Sequence, residues 1–111
     1  MRLSDIKGEQ VFDVIADIME PIYNIASDEK AATLFKQGGK PDDMDARQWA
    51  LYKAKEAMPA LMRGHKADMI AILSTLEGVT PEEYAEGLTM PTLLKGVYEM
   101  LTDEDLLAFL S

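Results

Sequence analysis

The sequence predicts an all-α fold, a compact bundle of about five to seven helices in one domain spanning 1–111. Apolar residues recur three or four apart almost throughout, and no stretch alternates apolar and polar as a half-buried strand would. Threonine and proline pairs punctuate the second half at helix-start spacing, as in "TPEE" and "TMPT". A chain of 111 residues is long enough for one modest core and too short for two.

The first helix is expected over 8–26, where Val11, Val14, Ile15, Ile18, Ile22 and Ile25 form a stripe at helical spacing. Phe12, Met19 and Tyr23 widen that stripe, which predicts a heavily buried helix. Pro21 falls inside it, and its ring clashes with the preceding turn, predicting a kink or two helices meeting end to end. Ser27 is the expected cap of a short segment, "SDEKAATLFK", with Asp28 and Glu29 in its first turn. Residues 38–42 then read as a linker, because "QGGKPDD" carries two Gly and a Pro. The linker divides N-terminal helices (1–37) from a longer helical region (43–111).

Asp42 or Asp43 is expected to open the next helix, which runs to about Arg63 with Ala50, Leu51, Ala54, Ala57, Met58 and Leu61 on one face and a bend at Pro59. Gly64 closes it. The following helix places Met69, Ile70, Leu73 and Leu76 inward and ends at Gly78, a residue suited to a left-handed cap. Thr80, Pro81 and Glu83 combine an N-cap, a proline at the first helical position and the acidic partner of a capping box. Thr89 with Pro91 starts a helix bearing Leu94, Val97, Tyr98 and Leu101, and Thr102 with Asp105 starts the last, bearing Leu106, Phe109 and Leu110. Helices this short are unstable alone and must dock on something.

The net charge of −9 is unevenly distributed. Residues 1–40 hold seven acids and five bases, residues 41–66 four acids and five bases, and residues 67–111 nine acids and one base, Lys95. Many helix first turns attract acids to the tail. The other reading is an acidic tail that meets a basic partner, or the basic middle segment of a second copy. Double-stranded nucleic acid is not an expected partner, since phosphate binding needs clustered Lys and Arg. A helix-turn-helix over 65–100 would carry Lys95 as the only base of its recognition helix. The start, "MRLSDIKGEQ", lacks an apolar signal region, and no apolar run approaches the length of a membrane span, so a cytoplasmic protein is expected.

No catalytic or cofactor-binding set emerges. With no Cys, thiolate metal sites, Cys nucleophiles and disulfides are all excluded. His65, the one histidine, reads as a solvated side chain at a helix start, where a nearby carboxylate would shift its pKa. Asp42, Asp43 and Asp45 suggest a calcium loop, but counting from Asp43 puts Arg47 at a ligand position and Gln48 where the glycine belongs. "TDED" at 102–105 reads as capping chemistry, and "QGGK" lacks the strand and helix of a phosphate loop. No metal site is expected.

Eight Met in 111 residues is a high content, suited to core filling and to surfaces that repack on different partners. Trp49 sits near a helix start, either as an anchor for a partner helix or packed over Gly38 and Gly39.

Residues 43–111, above all "RGHKADMIAILSTLEGVTPEEYAEGLTMPTLLKGVYEMLTDEDLLAFL", resemble the C-terminal half of tail assembly chaperones of long-tailed (siphovirus-type) phages and prophages of Gram-positive hosts. The resemblance lies in a helix ending Leu-Glu-Gly, a Val-Thr-Pro-Glu-Glu-Tyr turn, a Leu-rich helix and a closing Leu-Thr-Asp-Glu-Asp-Leu-Leu-Ala-Phe run. It implies an all-helical, non-enzymatic protein that coats the tape-measure protein, keeps that long helical chain soluble and leaves as tail-tube subunits polymerise. Such chaperones are often made in two lengths by ribosomal frameshifting, and this chain would be the short form. Coating a long client calls for self-association and for exposed apolar surface; Trp49, Leu94, Tyr98, Leu106, Phe109 and Leu110 are the candidate contact residues. Two other readings stay open: a small acidic adaptor or inhibitor that forms a one-to-one complex, and a helical, magnesium-dependent nucleotide hydrolase built on carboxylates.

Overall fold

The longest amphipathic stretch forms α1, Gln10–Ala26, preceded by a 3-10 turn at Leu3–Asp5. A computed structural model describes residues 2–110; Met1 and Ser111, the two ends of the expected domain, lie outside the described residues. After α1 come α2 (Glu29–Ala32), a 3-10 turn (Thr33–Phe35), α3 (Ala46–Gly64), α4 (Lys66–Glu77), α5 (Pro81–Glu86), α6 (Met90–Thr102) and α7 (Glu104–Leu110). There are seven α-helices and no strand among the described residues, as the apolar periodicity requires. The radius of gyration is 14.1 Å, close to the ~13 Å of a single globular unit of this length.

Ile18, Ile22 and Ile25 of α1 pack against α4, where Ile72, Leu73 and Leu76 are buried. Phe35 and Leu34, from the 3-10 turn, close the core against Ala57 and Leu61 of α3. Fully burying one such side chain is worth about 1.5–3 kcal/mol. Leu106 and Leu110 of α7 return to the α1 side of the same core.

Pro21 does not divide α1, which continues through it to Ala26 with the proline ring itself buried. α3 runs through Pro59 to Gly64, close to the expected end at Arg63. The expected heavy burial of α1 is only half right. Phe12 is 79 % exposed and Tyr23 69 %, and Val11, Ile15 and Met19 are exposed as well. At 100° per residue Ile15, Met19, Phe12 and Tyr23 fall beside the core stripe, on an edge turned away from α4, whereas Val11 is in line with Ile18 and Ile22 but sits in the first turn of the helix, short of the core. On α3, Ala50 and Leu51 are likewise exposed, while Ala57 and Leu61 are buried.

The caps differ from the sequence expectation at three places. Ser27 is the C-cap of α1, and Asp28 caps α2, its carboxylate accepting from the N–H groups of Lys30 and Ala31. Asp45, not Asp42 or Asp43, caps α3, in a reciprocal capping box with Gln48. Thr102 ends α6, its hydroxyl donating back to the carbonyls of Tyr98 and Glu99, and Asp103 caps α7 through the N–H groups of Asp105 and Leu106. Asp28 and Asp103 adopt the extended backbone of an N-cap, whereas Ser27 is the C-cap of α1 and Thr102 the last residue of α6. Thr80 and Thr89 cap α5 and α6 as expected.

Candidate protein-binding groove

Three local devices set α3–α6 around one hollow. His65 serves at once as the last cap of α3 and the first of α4, so a single residue joins the two helices. Gly78, at φ +73, ends α4 in the left-handed conformation that glycine adopts without strain. Gly96 lets α6 lie directly on α4 and α5, because a Cβ there would meet both Leu73 methyl carbons at 3.0 Å and the Tyr84 Oη at 3.2 Å.

The result is an apolar groove of about 450 Å³. Met58 and Met62 come from α3, Met69, Ile70 and Leu73 from α4, Tyr84 from α5, Leu88 from the following turn, and Met90, Leu93 and Leu94 from α6. Four of the eight methionines therefore line one site, and Lys66 is its one charged lining residue. The groove continues onto an open ridge of α6, where Met90, Leu94 and Tyr98 recur four apart at 71 %, 51 % and 66 % exposure. Val97 and Met100 on the adjoining face are buried. α6 is thus apolar over a wider arc than the core covers.

At the base of the groove Tyr84 is buried, and its hydroxyl has no hydrogen-bond partner. Burial pushes the phenol pKa up, and the charges of Glu77 and Glu99 push it the same way.

Of the six residues expected to contact a partner, the structure brings only Leu94 and Tyr98 together. Trp49 is half-buried over the linker, sharing a hollow with Gly38, Leu34 and Phe35 and stacked on Tyr52 at 5.8 Å. Phe109 is exposed on the opposite, α1 side, where it lines a second hollow with Val11 and Ile15. Leu106 and Leu110 are core residues, because α7 turns that edge inward, and so they cannot form part of a contact surface in this fold. The methionine count suited core filling and adaptable surface alike, and only folding brings α3 and α6 to the same hollow.

His65 is not solvated. It is buried, with Nε2 2.8 Å from Asp28 Oδ2 and Nδ1 2.8 Å from Asp68 Oδ2. Asp68 also accepts from Asn24 Nδ2 of α1 at 3.0 Å. Both ring nitrogens are engaged, so the imidazole acts as a clamp between the α2 cap, α4 and α1. Among the described residues no group of three potential ligands is placed to hold a metal ion, and no helix is long and apolar enough to cross a membrane.

No protein-family profile, curated protein or solved structure matches the chain.

Proposed function

We propose that this protein is a chaperone that holds amphipathic helices of a client in its methionine-lined groove, and that the client is the tape-measure protein of a phage tail. The observation that carries the reading is the groove's continuity with the uncovered ridge Met90, Leu94 and Tyr98. A helix laid in such a groove buries its apolar stripe, and flexible thioethers repack around successive, non-identical segments. A tape-measure chain, long and helical, offers many such segments. The phage assignment itself rests on the resemblance of residues 43–111. In this reading the protein works in the host cytoplasm without chemistry of its own, and tail-tube subunits displace it as they polymerise.

The test is co-expression with a phage tape-measure protein. Wild-type chain should keep the client soluble and co-purify with it in several copies. Leu94→Glu and Met90→Glu, both at exposed positions, should lose the client while keeping helical circular dichroism. Retention of the client by both variants would overturn the groove assignment. A saturating one-to-one complex would instead identify an adaptor or inhibitor.

A further inference from the structure

We infer that the outer face of α1 is an interface for a second copy of this chain, which seats the outer face of its α3 there. α1 divides into three sectors at 100° per residue. Ile18, Pro21, Ile22 and Ile25 face the core; Phe12, Ile15, Met19 and Tyr23 form a second apolar stripe beside it; Asp13, Asp17 and Glu20 make up the remainder. The second stripe runs about 16 Å along the helix. Exposed Phe109 of α7 extends it, sharing a hollow with Val11 and Ile15. A contiguous uncovered apolar band of this kind marks a contact site.

The charge around the band selects the occupant. Glu20 and Asp13 follow it on one side, Asp105 lines the hollow on the other, and α1 contains no basic residue. Two α1 faces brought together would therefore oppose like charges. The outer face of α3 carries the opposite set: Leu51 and Tyr52 are exposed, Arg47 and Lys55 are exposed bases one turn to either side of Leu51, and Glu56, half-buried, is the one acid within a turn of Leu51 or Tyr52. Lys55 Nζ lies 5.7 Å from the Tyr52 ring centre, which keeps the cation beside the apolar patch. Both faces are open in a single chain, so they meet between copies. The contact is head-to-tail, and repetition of it closes a ring or extends a filament. The acidic tail of the sequence is not its main component; the acids of α1, with Asp105, are.

None of these residues lines the groove, although Leu51 and Lys55 stand on the same face of α3 as Met58 and Met62, nearer its N-terminus. Sedimentation velocity of the full chain over a wide concentration range reads the interface. Wild type should grow beyond a dimer with concentration, and less so at high salt. A variant blocked on α1, Ile15→Asp with Met19→Asp, and one blocked on α3, Leu51→Glu with Lys55→Glu, should each stay monomeric. Their equimolar mixture should form a one-to-one dimer and stop there. If either pair loses helicity, Glu20→Gln and Lys55→Gln should each weaken association. Leu94→Glu should associate like wild type even where it loses its client. A wild type that stays monomeric, or a mixture of the two blocked variants that does, overturns the inference.

Discussion

His65 and Asp28, 37 positions apart in the chain, meet at 2.8 Å between Nε2 and Oδ2, while Asp68 holds the other ring nitrogen at the same distance. A neutral imidazole carries one N–H, and an ionised carboxylate only accepts. Two carboxylates on one ring are both satisfied only by the imidazolium. Burial alone would lower the His65 pKa from its ordinary 6.5, but the hydrogen bonds that the ring donates to Asp68 and Asp28 outweigh it and the net direction is up. The His65 bond, followed by the Ala31 N–H, holds the Asp28 carboxyl below its ordinary 3.8.

The sign of the pH dependence follows. A histidine whose pKa is raised on folding stabilises fully below its unfolded value, and that contribution is lost as pH rises through the folded one. Asp28, shifted down, contributes above its unfolded value and is lost in acid. The clamp is therefore strongest between about pH 3.8 and 6.5. The melting temperature should fall from pH 6 to pH 9, and His65→Gln should flatten that fall. A wild-type melting temperature that rises over this interval would contradict the imidazolium.

Tyr84→Phe should leave the free protein as stable or raise its stability by about 1 kcal/mol. The hydroxyl is buried without a partner, and such a group carries its desolvation cost uncompensated. Urea denaturation midpoints of the two proteins check this. A loss of more than about 1 kcal/mol would mean that the phenol makes a bond in solution that the fold does not provide.

Gly96→Val should cost roughly 1–3 kcal/mol, although valine is the better helix former by itself. Even a Cβ at this position meets Leu73 at 3.0 Å, so the larger side chain must lift α6 off α4. Groove opening should accompany the loss, seen as increased binding of a hydrophobic dye. Unchanged thermal stability would show that α6 tolerates displacement.

Asp103 has two separate duties. Oδ1 caps α7, and Oδ2 accepts from the Leu3 N–H at 2.8 Å, tying the N-terminal turn to the last helix. Asp103→Ala removes both and should cost about 2 kcal/mol. Asp103→Asn retains one acceptor oxygen and should fall between, at an unchanged denaturant slope. Equal stability of Asn and Ala variants would assign the whole effect to charge.

Helical periodicity made α1, α4 and α6 legible in the sequence, because Ile18, Ile22 and Ile25 or Val97 and Met100 repeat at the spacing of a helix face whatever they pack against. Thr80 and Thr89 were legible because a cap bonds within its own first turn. Ser27 and Thr102 were misread for a related reason. A hydroxyl one residue before an aspartate offers the same local signal, and the winner depends on where the preceding helix ends.

The sequence by itself determined the all-α class, the caps closed by local bonds and the excess of methionine, since these depend on contacts a few residues apart. Tertiary structure alone decided which apolar residues stay outside. α1 and α6 each carry a wider apolar arc than their neighbours can cover, and no local rule says which edge the core takes. It also decided the state of His65, whose partner Asp28 becomes adjacent only when α4 folds back along α1. Long-range packing sets desolvation and charge pairing together, and neither can be read from residues that are far apart along the chain.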